Sequence, residues 1–292
     1  MKPIGIVANM EKPRTPAVAR ALLRQLARLR QPLLLERGLA RLLKRKGGVS
    51  LGALGRQCRL LVVLGGDGTV FRTAREIYPC ETPILPVNLG TLGFLAAVSP
   101  SDLPKALPMA LKGHGSVVVR STLEASVHTG RRMQRGLVAL NDVVIFRGAT
   151  SRVVEIELRV DGKLLNSYIC DGVIFSTPTG STAYSLSAGG PVVLPGARVY
   201  VITPICPHTL TLSNRSVIVD ELSAVEMKIT RQHGELFLRL DGQKTVRLNP
   251  GNRVEVTSSH YKVRMITLPG GSFFELLRKK LRWGESHTSS RA

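Results

Sequence analysis

The stretch RLLVVLGGDGTVFRTAREIYPCETPILPVN, residues 59 to 88, decides the fold. Its apolar run ends at Gly65 and Gly66 and reads as a buried strand, VFRTAREI can be helical, and TPILPVN reads as a second strand. Strand, helix and strand joined by short loops predict a parallel sheet flanked by helices. Upstream, KPIGIVAN reads as another short buried strand. The segment PAVARALLRQLARLR places Val18, Leu22, Leu26 and Leu29 on one face and Arg20, Arg24 and Arg28 on another, the pattern of an amphipathic helix.

From about residue 116 the period becomes two. In RVVEIELRVDGKLL, Ile156, Leu158 and Val160 alternate with Glu155, Glu157 and Arg159, and Asp161-Gly162 supplies a hairpin turn. ELFLRLDGQKTVRL repeats the form about Asp241-Gly242, and RVEVTSS and KVRMITL follow it. The expected fold class is therefore an α/β N-terminal domain with a parallel sheet, plus a β-rich, β-sandwich-like C-terminal domain. The expected boundaries are 1–116 for the first domain, 117–267 for the second and 268–292 for a helical tail. In that tail Phe273, Leu277 and Leu281 fall at helical spacing and could pack back on the first domain.

Hydrophobic residues make up 43% of the 292 and charged residues 21%, the composition of a chain that folds rather than one that stays disordered. The formal net charge of +21 attracts phosphate-bearing molecules, so an anionic substrate is the minimum implication. Cys58, Cys80, Cys170 and Cys206 lack both zinc-ligand and disulfide-scaffold spacing and read as reduced thiols. No stretch approaches the roughly 20 apolar residues of a membrane helix. The N-terminal apolar run is too short for a signal peptide, and a cytoplasmic location is expected. None of the six histidines carries HExxH spacing or a nucleophile elbow, which argues against a hydrolase.

The chemistry centres on two stretches. The turn Gly65-Gly66-Asp67-Gly68-Thr69 lets backbone approach a ligand closely, and the helix start that follows favours phosphate oxygens. Gly65, Gly66, Gly68 and Thr69 are the candidate donor-phosphate loop. Asp67 would repel phosphate unless it accepts a proton from a hydroxyl, binds a sugar hydroxyl, helps hold magnesium or caps the helix. The spacing is neither GxxxxGK[ST] nor GxGxxG. The second stretch, DGVIFSTPTGSTAYSLSAGGPVV at 171–193, crowds short donors and acceptors around Tyr184, whose flat ring suits a nucleobase.

Five blocks carry a family resemblance: GGDGT at 65–69, NLGTLGFL at 88–95, LNDVVI at 140–145, DGVIFSTPTGSTAYSLSAGGP at 171–191 and PICPHTLTLSNRSVIV at 204–219. In this order they resemble the NAD kinases of bacterial type. The resemblance implies an enzyme that transfers a phosphoryl group from ATP, or from another donor, to the 2′-hydroxyl of the adenosine ribose of NAD. It implies Asp67 as the general base, with Gly68 and Arg72 lining the NAD site beside it. Asn141 and Asp142 match an Asn-acidic pair that holds adenine and ribose hydroxyls, although Glu is the usual second member. Arg152 matches a basic position, and Asp171 one that approaches the nicotinamide end. Thr182, Ala183, Tyr184, Ser185, Leu186 and Ser187 match the segment surrounding the nucleoside, and Gln243 a further NAD contact. A divalent cation, Mg²⁺, is implied without assigned ligands, as is a homodimer or homotetramer with neither membrane nor specific nucleic acid as partner. Two rivals remain at this stage. A diacylglycerol or sphingosine kinase shares GGDGT, but the polar 176–191 segment does not suit acyl chains. A basic nucleic-acid-binding protein would need a reading element, and none is visible.

Overall fold

The computed structural model describes residues 1–91, 93–95, 98–149, 153–208, 215–231, 234–249, 251–267 and 272–283. The chain divides into two units, Met1–Val118 with Arg264–Ala292, and Val119–Val263.

The first unit alternates strand and helix. Its elements are β1 (Ile4–Ala8), α1 (Thr15–Arg28), β2 (Leu33–Leu35), α2 (Arg37–Leu42), α3 (Leu51–Gln57), β3 (Leu60–Gly65), α4 (Asp67–Ile77), β4 (Ile84–Asn88), α5 (Leu103–Leu111) and β5 (Ser116–Arg120). β1 pairs parallel with β3 from Ile4↔Leu60 to Ala8↔Leu64, and β3 with β4 from Leu61↔Ile84 to Gly65↔Asn88. Every residue of β1 and β3 is buried, as strands covered on both faces require. The buried stripe of α1 is Thr15, Ala19, Leu22, Leu23 and Leu26. Val18 is half-buried and Leu29 exposed, so the stripe is rotated from the expected one; the helix ends at Arg28 and leaves Leu29 in the cap.

The second unit is two antiparallel sheets around one core. Its strands are β6 (Leu123–Thr129), β7 (Arg132–Ala139), β8 (Asp142–Arg147), β9 (Val154–Val160), β10 (Lys163–Cys170), β11 (Gly172–Ser176), β12 (Val199–Ile205), β13 (Val217–Asp220), β14 (Val225–Arg231), β15 (Leu236–Leu240), β16 (Lys244–Leu248) and β17 (Arg253–Ser258), with the short helix α6 (Tyr184–Ser187) after β11. One sheet runs β10-β9-β14-β17-β6-β7 and the other β13-β12-β11-β8-β15-β16. Ile156, Leu158, Met227, Val254 and Val256 of the first meet Ile145, Phe175, Ile202, Leu238 and Leu240 of the second in a single apolar cluster. This is the sandwich that the alternation predicts. Val160 pairs with Lys163 across Asp161-Gly162, whose φ values of 49° and 77° are those of a primed hairpin turn.

The chain then returns to the first unit. KVRMITL, expected with the antiparallel half, supplies β18 (Val263–Thr267), which pairs parallel with β4 through Met265↔Ile84. The first sheet is thus ordered β2-β1-β3-β4-β18-β5. α7 (Phe273–Leu281) follows; Leu277 is buried, and the Phe273 ring lies 6.4 Å from that of Phe94.

Candidate functional site

In the first unit, β3 ends at Gly65 and α4 starts at Asp67, with Gly66 as the N-cap. The Asp67 side chain reaches the loop after β4: its Oδ2 accepts the Phe94 N–H at 2.7 Å and its Oδ1 the Leu95 N–H at 3.1 Å. A Cβ on Gly93 would lie 2.1 Å from Asp67 Oδ1, so only glycine allows that approach. The carboxylate is thus held by a loop some 27 residues away in sequence as well as standing at the start of α4. Gly66 and Asp67 are half-buried, Gly68 is exposed and Thr69 is buried, so the front of the turn is open and its back is packed.

Arg72, expected beside NAD, places its guanidinium on Glu36: Nη1 donates to Oε1 at 2.8 Å and Nη2 to Oε2 at 3.2 Å. Nη2 also lies 3.4 Å from the Ala8 carbonyl. These bonds tie α4 to the end of β1 and to the start of α2, and they position the turn from behind.

The second group of residues lies in the other unit, in a cleft of about 360 Å³. One wall is the β7–β8 corner at Asn141 and Asp142, another is Ala183 and Tyr184, and the third is Arg239 with Asp241-Gly242. Val144 and Phe146 complete the lining, and the Arg239 guanidinium stands 4.4 Å from the centre of the Phe146 ring. Asp241 holds the corner: its carboxylate accepts the backbone N–H of Leu140 at 3.1 Å, of Asn141 at 2.6 Å and of Asp142 at 3.3 Å. The polar loop after β11 lies on the same corner. Thr177 donates its hydroxyl to the Leu140 carbonyl, and a Cβ on Gly180 would come within 2.1 Å of the Asn141 carbonyl oxygen.

Two side chains of the corner are primed for a ligand. Asn141 Oδ1 is buried without a hydrogen-bond partner, a state that native interiors rarely leave unused. Burial, and after it the charge of Asp241, pushes the Asp142 carboxyl up to about 7, so near neutral pH it is both donor and acceptor. Burial raises the Tyr184 phenol as well, and nearly half of that side chain faces solvent in the cleft.

The other expected site residues divide. Ala183 and Tyr184 line the cleft, and Thr182 and Leu186 are half-buried beside them. Ser185 is fully buried with its hydroxyl 3.0 Å from that of Thr203, and Ser187 is exposed. Asp171 does not line the cleft. Arg147 donates to it at 2.6 and 3.2 Å and His208 stands 3.5 Å away, and the hydrogen bond from Arg147 first of all holds this carboxyl below its usual range. Gln243 is exposed in the turn beside Gly242, and Arg152 lies outside the described residues. Sequence reasoning missed Asp241, Arg239, Val144 and Phe146. The usable signal was the polar face of β15, where Arg239 alternates with buried Leu238 and Leu240.

Among the described residues no group of three or more His, Cys, Asp and Glu side chains could hold a metal ion, and no helix is long and apolar enough to cross a membrane.

Comparison with known proteins joins these features. Residues 4–115 match the family model of the ATP-NAD kinase N-terminal domain and residues 140–268 that of the ATP-NAD kinase C-terminal domain. The NAD kinase of Geotalea daltonii is 39% identical over 285 residues, 98% of this chain and 100% of the relative. That of Geobacter metallireducens is 41% identical over 285 residues, with the same coverage. The crystal structure of yeast NADH kinase complexed with NADH superposes with a TM-score of 0.90 at 24% identity, covering 100% of this chain and 90% of that one. An NAD kinase from Archaeoglobus fulgidus in complex with ATP gives a TM-score of 0.76 at 24% identity, with 96% and 98% covered. The two solved structures share the fold, the curated relatives match over nearly the whole of this chain, and the two family models together span residues 4–115 and 140–268: the chain belongs to the NAD kinase family.

Proposed function

We propose that the chain transfers the terminal phosphoryl group of ATP to the 2′-hydroxyl of the adenosine ribose of NAD, forming NADP and ADP. The observation that carries this reading is the corner at Asn141 and Asp142, which lines the cleft and holds a buried Asn141 Oδ1 without a partner and an Asp142 carboxyl pushed up to about 7. Such a set suits the hydroxyls and ring nitrogens of a nucleoside, with Tyr184 and Arg239 as the flat partners beside it. An acyl chain would leave these polar groups unsatisfied, which disfavours the lipid kinases.

In the reaction the ribose O2′ attacks the terminal phosphorus, the bond from that phosphorus to the ADP oxygen breaks, and the hydroxyl proton passes to Asp67. Phosphoryl transfer asks for positioning more than for covalent help, and the two N–H bonds to Asp67 supply it by fixing both carboxylate oxygens. Gly66 and Gly68, at the open front of the turn, leave backbone room for the donor phosphates. The residues present fit a divalent cation carried mainly by phosphate and water oxygens: the turn offers one carboxylate, Asp67, and Mg²⁺ usually takes one or two. When bound there, the cation would neutralise charge on the donor phosphates.

A homodimer or homotetramer belongs to the same proposal and rests on the family resemblance, while a cytoplasmic location rests on the short N-terminal apolar run; ultracentrifugation alongside activity and cell fractionation test them. The reaction itself is tested by incubating purified protein with NAD, ATP and Mg²⁺ and detecting NADP enzymatically. No NADP with any phosphoryl donor and any divalent metal would overturn the reading.

A further inference from the structure

The charge of the chain is unevenly placed. Residues 1–60 carry fourteen Lys and Arg against two Glu, a net +12 of the +21. One of those glutamates, Glu36, is already engaged by Arg72. Arg20, Arg24 and Arg28 are exposed one turn apart on α1, while Ala19, Leu22, Leu23 and Leu26 bury its other side. Arg37 and Arg41 repeat the spacing on α2, whose Leu39 and Ala40 share one apolar cluster with the α1 leucines. Among the described residues none of these five arginines has a carboxylate at ion-pair distance.

We propose that this face docks the phosphodiester backbone of single-stranded RNA without reading its sequence. Residues four apart on a helix are separated by about 6 Å, so the α1 arginines form a track of about 12 Å. Each guanidinium fork matches a phosphate with two parallel hydrogen bonds. The exposed residues beside them, Ala17, Ala21, Ala27 and Leu29, offer no aromatic surface for a base, so the contacts stay on the backbone. An anionic membrane is a poorer fit, because a helix lying in the interface inserts apolar side chains and Leu22, Leu23 and Leu26 are in the core. An acidic protein surface would want a large apolar anchor at the centre of the contact, whereas the exposed leucines, Leu29 and Leu42, stand at the ends of the two helices and only alanines lie exposed among the α1 arginines. The α1 track and the six-residue α2, about 9 Å long, are short. A flexible strand can follow both, whereas a duplex is stiff over about 150 base pairs.

The test is fluorescence anisotropy of the full chain with a labelled RNA of about 20 nucleotides, between about 50 and 200 mM salt. Five phosphate contacts at about 0.7 each predict a slope of log K against log salt of about −3.5. Arg20→Gln/Arg24→Gln/Arg28→Gln should reduce the slope to about −1.4, and Arg37→Gln/Arg41→Gln to about −2.1. NADP formation should be unchanged in both, which separates this site from the catalytic reading and shows that the variants are folded. Slopes equal to that of the wild type would overturn the proposal. So would binding to phosphatidylserine vesicles without binding to RNA, or binding to a DNA duplex of equal length as tightly as to the single strand.

Discussion

Asp142→Asn tests whether the buried carboxyl of the cleft titrates near neutrality. Only 5% of Asp142 is exposed, and burial first, then Asp241, raises its carboxyl from 3.8 to about 7. Because the folded value lies above the unfolded one, its stability contribution is fully present below about pH 4 and is lost as pH rises to about 7. Each pH unit in that window costs about 1.4 kcal/mol, so the whole shift is worth about 4 kcal/mol. An asparagine has the same size and no proton to lose. The stability of Asp142→Asn relative to wild type should therefore rise by about 3 kcal/mol between pH 5 and 7 and stay level above it. Denaturant titrations followed by circular dichroism at half-unit pH steps measure that difference directly. The same proton should make the KM of the wild type for NAD vary through pH 7, and the variant should lack that inflection. A stability difference constant to within about 0.5 kcal/mol across the range, well below the per-unit cost, would refute the titration of Asp142.

Asp67→Asn removes the proton acceptor while keeping its shape. If Asp67 is the base, kcat should fall by about 10² to 10⁴ with the NAD dissociation constant little changed, and a kcat within about tenfold of wild type rules that role out. Should the metal requirement or the KM for NAD move instead, Asp67 orients the hydroxyl or supports the cation. Gly93→Ala puts a methyl 2.1 Å from Asp67 Oδ1 and must turn the carboxylate off the Phe94 and Leu95 N–H groups. It should cost at least about 10² in kcat and, through the two lost charge-assisted bonds, about 1 to 3 kcal/mol of stability, and full activity would show that the carboxylate needs no fixed aim. Asp241→Asn keeps a residue that tolerates the φ of 49° but leaves one of three backbone donors facing an amide NH₂. The cost of about 1 to 3 kcal/mol falls on the Asn141–Asp142 corner and should raise the KM for NAD by about ten- to a hundredfold. Steady-state kinetics that leave KM unchanged would remove Asp241 from substrate positioning.

What the sequence discloses, and what it hides, follows from the range of the interactions. β1, β3 and β4 were legible because a strand buried on both faces must be apolar along its whole length, and Asp161-Gly162 because two residues at positive φ need that pair. The short helices α2 and α3 were not, since each has only six or seven residues and includes glycine. β18 was legible as a strand but not as a member of the first sheet. Period two reports which residues face inward and not which neighbour they pair with, and the Met265↔Ile84 partnership crosses most of the chain.

The site divides on the same line. The glycine turn and the polar loop after β11 are local patterns, so Asp67 and Tyr184 could be singled out from their own neighbours. The groups that aim them are distant. Asp241 reads locally as a turn former, yet its carboxylate closes on backbone donors about a hundred residues earlier. Arg72 reads locally as a nucleotide contact on the first helix after the turn, while its pairing with Glu36, 36 positions earlier, is invisible in that local pattern. Gly93 is the instructive case: within NLGTLGFL it is one small residue among several, and its necessity follows only from a carboxylate 26 positions away. A residue that does chemistry must resemble its ligand's complement and so carries a local signature. A residue that holds it in place need only complement another part of the chain, and that information resides in the fold.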